Sequence, residues 1–367
     1  MEATVSEQFG EPISAGAAPR TRGSGELTLK FDDGFDLGRV ERLLQQARER
    51  GGPAPETLCT LNLVAIYFNA DQYERAQEAL EMAGTLHPCR LLVVIADAIT
   101  PEESLSARVS VVRSAGAVTV ERIVLAATGR AVRHLESAMT GLLRAELPRV
   151  VVWGGRPHGD LMKRAVEAAD RIITDSGARP PNYLAETAKL LAKGAPIGDL
   201  AWARIFPWQS LAADTLDLPN LREHRGSIRR ARVVCAGAVG AEGLLLLGWM
   251  QSRIKRLQVQ IEAEGEAEEE GGAASGPIPR CAPLGLGQVK SLEFEAPPAT
   301  FTLRREKGLL IANVKGDDDG YTANRVRLPP ETPGRLLALE LKILSGVDEL
   351  YAQAAQAAAK LLPAVRS

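Results

Sequence analysis

The stretch Leu147 to Ser176, LPRVVVWGGRPHGDLMKRAVEAADRIITDS, admits few folds. Arg149 to Trp153 is a short apolar run rich in β-branched side chains, which suits a strand buried on both faces. Gly154 and Gly155 end it, and Leu161, Ala165, Val166 and Ala169 then recur at helical spacing. Arg171 to Thr174 starts a second strand, closed by Asp175, Ser176 and Gly177. The pattern is a parallel β-α-β unit, and such units place ligands at the carboxyl ends of their strands.

Similar units flank it. Asp36 can cap a helix carrying Leu37, Val40, Leu44 and Ala47 on one side. Thr60 to Phe68 is a dense apolar run, strand or buried helix, with β-branched and aromatic content favouring strand. Asp71 and Glu74 form a capping-box pattern before a helix. Arg90 to Ala96, Ala107 to Arg113 and Glu121 to Ala126 read as strands, and Thr128 as the cap of the next helix. Pro180 and Pro181 introduce a helix from Asn182, Gly194 to Gly198 is a turn, and Asp199 caps a helix open to interruption at Pro207. Residues 26–221 are therefore expected to form an α/β domain, a mostly parallel sheet flanked by helices.

Residues 222–367 read as a smaller α+β domain. Ala231 to Ala236 is a strand and Val239 to Ile254 an apolar helix. Glu262 to Arg280 is a Glu- and Gly-rich solvated loop. Val289 to Glu295, Ala299 to Arg304 and Leu309 to Val314 alternate like an antiparallel meander. Thr332 and Pro333 start a helix, and an alanine-rich helix runs from about Asp348 to Leu362. Residues 1–25, small and polar, read as a disordered tail.

Several function classes are disfavoured. The 44 basic and 46 acidic side chains give a net charge of -2, without the footprint a nucleic-acid partner needs. No apolar run reaches the ~20 residues of a membrane span. The N-terminus MEATVSEQFGEP lacks the basic start and apolar run of a signal peptide, so a cytoplasmic location is expected. Cys59, Cys89 and Cys235 sit in apolar contexts, whereas Cys281, in a Pro/Gly-rich loop, is the redox candidate. His87, His134, His158 and His224 share no ligand spacing with a carboxylate or thiol, so no metal is expected, and nothing calls for a cofactor.

Two constellations could carry function. In WGGRPHGD, Gly154, Gly155, Arg156 and His158 could hold an anion at a helix start, although a tight strand-to-helix connection explains the same residues. GAVGAEG (Gly237 to Gly243) superficially resembles a dinucleotide loop, but no β-α-β continuation is evident after its helix. In DLAWARIFPW (Asp199 to Trp208), Trp202 and Trp208 are core anchors or interface residues.

Taken in order, TLNLVAI (Thr60 to Ile66), HPCR (His87 to Arg90), ELPRVVVWGGRP (Glu146 to Pro157), ADRIITDS (Ala169 to Ser176) and DLAWARIFPW resemble the glucose-6-phosphate dehydrogenase assembly protein family, the OpcA family. Gly154 stands where other members often carry a second Trp, and the N-terminal extension and glutamate-rich insert are peculiar to this chain. The resemblance implies a non-catalytic protein that assembles or allosterically activates glucose-6-phosphate dehydrogenase. Trp153, Arg156, Asp199, Trp202, Arg204 and Trp208 are then the contact candidates. In photosynthetic members cysteine redox state tunes the effect, but none of the four cysteines here is matched to the regulatory thiols. The competing expectation is a sugar-phosphate-binding enzyme or pseudo-enzyme using the Gly154–Asp160 turn.

Overall fold

The computed structural model describes residues 22–23, 26–31, 34–50, 59–113, 119–156, 160–265, 285–316 and 320–362. Its first half starts with β1 (Arg22–Gly23), β2 (Leu27–Lys30) and α1 (Leu37–Arg50). It continues with β3 (Leu61–Tyr67), α2 (Ala70–Leu86), β4 (Cys89–Asp97), β5 (Ser104–Arg113), β6 (Thr119–Thr128) and α3 (Leu135–Leu142). β7 (Arg149–Trp153), α4 (Asp160–Ala168), β8 (Arg171–Thr174), α5 (Asn182–Leu191), β9 (Ile197–Asp199) and α6 (Leu200–Asp217) complete it.

Among the described residues these strands make one nine-stranded sheet, ordered β1-β5-β6-β4-β3-β7-β8-β9, with β2 also on β5. β6, β4, β3, β7, β8 and β9 all run parallel, and β5 closes one side antiparallel to β6. β3 shows why the pattern looks continuous rather than alternating. Leu61, Leu63, Ala65 and Tyr67 face α2, while Val64 and Ile66 face the core shared with α1 and α3. Each face needs its own helical cover, as parallel sheets require.

The second half forms β10 (Arg230–Ala236), α7 (Ala241–Arg253), β11 (Gln258–Glu264), β12 (Val289–Ala296), β13 (Ala299–Glu306), β14 (Leu309–Lys315), β15 (Tyr321–Arg327), α8 (Pro333–Glu340) and α9 (Glu349–Ala359). Its six-stranded sheet, ordered β11-β10-β12-β13-β14-β15, is antiparallel except for β10 and β11. The apolar face of this sheet lies on α6 and α7, and Phe294 stacks on Phe301 at 4.8 Å between ring centres. An α/β sheet followed by a mostly antiparallel one bears out the expected fold class. No helix among the described residues is long and apolar enough to cross a membrane.

The last two helices do not stay with the second sheet. α8 packs on α2, and its Leu336, Leu337 and Leu341 complete the core face that holds Tyr73, Leu80 and Leu91. α9 lies against α5 and α7. A buried ion pair fixes the return: Arg171 of β8 donates to Glu340 of α8 at 2.7 Å and to the Gly346 carbonyl at 3.3 Å.

Several local expectations are corrected. The cap of α2 is Asn69, two residues before the expected Asp71, and its side chain accepts the Gln72 amide while Gln72 accepts that of Phe68. Thr128 makes no side-chain cap; a 3-10 turn at Gly129–His134 precedes α3. Residues 197 and 198 of the expected turn join Asp199, the cap of α6 as expected, in β9. α6 runs through Pro207 unbroken, because Ile205, Trp208, Leu211 and Ala212 are buried on both sides of the missing N–H. β11 takes in residues 262–264 of the expected acidic loop, paired by a hydrogen-bonded Arg232–Glu262 contact. That strand supplies the parallel partner judged missing after GAVGAEG, and β15 extends the meander. Arg22–Gly23, assigned to the tail, pairs with β5.

Removing one member of a buried ion pair strands the other charge. Glu340→Ala is therefore expected to lower unfolding free energy by about 3–5 kcal/mol. A urea midpoint shifted down at unchanged slope is the readout, and a stability equal to wild type would show that the pair does not fasten α8.

Candidate functional site

The parallel strands reverse order between β3 and β7, and the crevice lies at their carboxyl ends, as in other open α/β sheets. Its walls are built from Tyr67, Trp153, Thr174 and Asp175, with Leu200 at the start of α6 and Leu337 of α8 closing the far side. The cleft, open to solvent on one side, holds about 390 Å3.

The β3–α2 connection is Phe68-Asn69, with no glycine; the Asn69 side chain accepts the first-turn amide of Gln72, and the Gln72 side chain accepts the Phe68 amide ahead of the helix. A dinucleotide pyrophosphate normally uses a glycine turn and free amides at this point. The glycines on the next strand serve packing instead. A Cβ on Gly154 would sit 2.7 Å from Tyr67 Cδ1 and 2.8 Å from the Ile66 carbonyl, and one on Gly155 would sit 2.4 Å from Phe68 Cε2. The Tyr67 and Phe68 rings thus occupy the side-chain positions of these two glycines. In GAVGAEG the same holds, since a Cβ on Gly240 would meet the Gly287 carbonyl at 2.3 Å.

The polar side chains around the crevice bind one another. Arg204 holds Asp175 through two bonds of 2.7 Å, and its Nη1 lies 3.7 Å from Glu242. Asp199 is fully enclosed: Oδ1 accepts the Ser176 and Ala201 amides at 3.0 and 2.9 Å, and Oδ2 accepts the Tyr351 hydroxyl at 2.8 Å. Trp202 packs on Tyr351 and donates to Asp348 at 3.1 Å, and Asp348 caps α9. Tyr183 contacts the Thr174 hydroxyl and donates to the Gly155 carbonyl at 3.2 Å, and Arg179 donates to the Gly154 carbonyl.

Burial dominates the protonation of these groups. It pushes the Glu242 carboxyl up to about 8, because Arg204 is already neutralised by Asp175 and offers Glu242 only a partial counter-charge. It also raises Asp199, with Asp175 adding to the effect, and takes Tyr183 to about 12. Cys89 and Cys235 are likewise pushed up by burial, to about 12 and about 11, which suits inert core thiols.

The sequence candidates are thus dispersed. Trp153 is 4% exposed, with its indole N–H on the Arg156 carbonyl, and Trp208 is 3% exposed. Asp199 is buried, Arg204 is committed to Asp175, Trp202 is half-buried, and Arg156 alone of the six is exposed. Asp199 and Trp202 meet the last helix through Tyr351 and Asp348, whereas Arg204 turns to Asp175 and Glu242. His158 and Cys281 lie outside the described residues. Residues not singled out beforehand are Tyr351, Asp348, Tyr183, Arg179, Arg75 and Glu242. Only Asp348, immediately ahead of an alanine-rich helix, carried a readable cap signal.

Strand order, filled glycine turn and appended sheet define a doubly wound α/β protein with a second, one-sided sheet. The chain belongs to the glucose-6-phosphate dehydrogenase assembly (OpcA) family, as its ordered segments led us to expect. The family model described as glucose-6-phosphate dehydrogenase subunit N-terminal domain matches residues 80–190, and that for the C-terminal domain matches residues 195–355. A Synechocystis protein with the provisional name OxPP cycle protein OpcA is 30% identical over 235 residues, 60% of this chain and 48% of the relative. A Nostoc punctiforme protein of the same provisional name is 30% identical over 189 residues, 48% of this chain and 40% of the relative. The match thus spans about half the length of these relatives or less. Among solved structures, KijD10, a 3-ketoreductase from Actinomadura kijaniata, is 12% identical with a TM-score of 0.45, covering 84% of this chain and 97% of that one. UDP-N-acetylglucosamine 3-dehydrogenase GnnA from Acidithiobacillus ferrooxidans is 9% identical with a TM-score of 0.36, covering 83% and 96%.

The raised Glu242 carboxyl ties stability to pH. Unfolded, the group loses its proton near 4.5; folded, it keeps it to about 8. Between these values the unfolded chain binds fewer protons, so stability falls as pH rises, by at most about 1.4 kcal/mol per pH unit for one group. Glu242→Gln is expected to flatten the decline between pH 5 and 8 relative to wild type. Parallel curves for the two proteins would show that Glu242 is ionised in the native state. Tyr351→Phe, which deprives Asp199 of one donor, is expected to lower stability by about 1–3 kcal/mol in urea. An unchanged midpoint would show that Asp199 Oδ2 does not need that hydroxyl.

Proposed function

We propose that the chain is a non-catalytic partner of glucose-6-phosphate dehydrogenase, working in the cytoplasm beside that enzyme and promoting its assembly or activity by contact. The family supports the partner. The observation that carries the non-catalytic part is the crevice lining: its one carboxylate among the described residues, Asp175, is held by Arg204 through two bonds and does not stand ready as base or nucleophile. In an effector, binding energy that differs between two forms of the enzyme shifts their populations.

With Trp153 and Trp208 buried, contact falls to exposed groups. On α6, inside the DLAWARIFPW segment, Phe206 is 66% exposed. Leu339, Ile343, Val347 and Leu350 are exposed in one short stretch from α8 to the start of α9. Exposed apolar side chains near a polar rim are common at protein interfaces.

The test mixes the purified protein with glucose-6-phosphate dehydrogenase of the same organism. Co-elution is expected, with a change in apparent substrate affinity of roughly 5–150-fold, the range of a ~1–3 kcal/mol coupling. Phe206→Ser and Ile343→Ser with Leu350→Ser should weaken that effect without altering the fold. Separate elution with unchanged kinetics would sink the proposal.

A further inference from the structure

The crevice between β3 and β7 is roomier than a packing defect. Its roughly 390 Å3 lies within the ~300–1,000 Å3 range of small-molecule sites. It occupies the position where open α/β sheets take ligands, and α8 walls it off from solvent on one side. Its interior is divided by chemistry. Ala76, Ala79, Val152 and Pro333 give an accessible apolar floor, backed by the buried Tyr67, Leu80, Ile173 and Leu337. The polar side is cationic. Arg75, on the exposed face of α2, has no hydrogen bond or ion pair among the described residues, and Arg179 engages one nitrogen, Nη2, on the Gly154 carbonyl. The carboxylate in the lining, Asp175, is neutralised by its two bonds to Arg204.

We propose that this cavity binds a phosphate carried on a flat apolar body, of the nucleoside monophosphate class. The base would lie on the apolar floor and the phosphate would meet Arg75 and Arg179, each able to donate charge-assisted bonds. The neighbouring chemistry narrows the class. A dinucleotide needs a second phosphate site on a glycine turn at the start of α2, where this chain has Phe68-Asn69 and the Asn69 side chain already holds the Gln72 amide. A sugar phosphate carries hydroxyls all round and would set some against Ala76, Ala79 and Val152 without partners, whereas a nucleotide can turn a ring face there and keep its ribose on the Gln72 and arginine side. The site is independent of the dehydrogenase contact, and it can be assayed without that enzyme.

The experiment is calorimetric titration of the full chain with adenosine 5′-monophosphate, glucose 6-phosphate and inorganic phosphate as separate probes. The nucleotide is expected to saturate one site, with the other two probes weaker by about tenfold or more. Arg75→Glu, which replaces an unpaired surface cation, should weaken nucleotide binding by about tenfold or more. Ala76→Phe, which projects a ring into the cavity, should do the same, and both variants should keep the wild-type circular dichroism spectrum. Absence of nucleotide binding overturns the proposal. So does a folded variant of either kind that binds at wild-type strength, or glucose 6-phosphate or phosphate binding as tightly as the nucleotide.

Discussion

A carboxylate shut away from water must be given partners, and Asp199 receives three: the Ser176 amide, the Ala201 amide and the Tyr351 hydroxyl. The first comes from the loop after β8, the second from α6, and the third from α9. One side chain therefore sets the end of the parallel sheet, the start of the long helix and the seat of the last helix. Glu340 does the same one layer away, where Arg171 of β8 meets α8. Without Glu340, α8 would lose its tie to β8, and without Asp199, α9 would lose its tie to the start of α6. The crevice walls at Leu200 and Leu337 would lose their position with these ties.

The crevice shows how packing changes the meaning of a motif. Gly154 and Gly155 look like phosphate-loop residues, but the space a side chain would take is filled by Tyr67 and Phe68. Gly240 yields its space to the Gly287 backbone. Small residues at strand ends are thus explained by neighbours already present. The reactive-looking acids are explained the same way, by Arg204, Tyr351 and Arg171. Of the described charged groups in the crevice lining, Arg75 alone remains uncommitted, on the rim of an apolar space.

Strands buried on both faces were legible because burial itself sets their composition. β3, β4, β7 and β8 read directly from runs such as LNLVAIY and RVVVW. β11 and β15 did not, since an edge strand with one face in solvent carries Gln, Glu, Asn and Arg and is held by backbone pairing that leaves no mark in hydropathy. Within the site, Asp199 was legible as a cap, but its hydroxyl partner lies 152 residues away. Trp153 and Trp208 illustrate the opposite difficulty. A tryptophan serves a core or an interface equally well, and only the surrounding helices decide which.

The return of α8 and α9 onto the first sheet also sets an order of events at the ribosome. Asp199 precedes Tyr351 by 152 residues, so at ~5–20 residues per second the nascent sheet waits ~8–30 s for its lid. Through that interval Tyr73, Leu80 and Leu91 have no α8 side chains over them. The growing chain is then an aggregation-prone half-domain, and chaperone occupancy during translation becomes a natural part of how this protein is made.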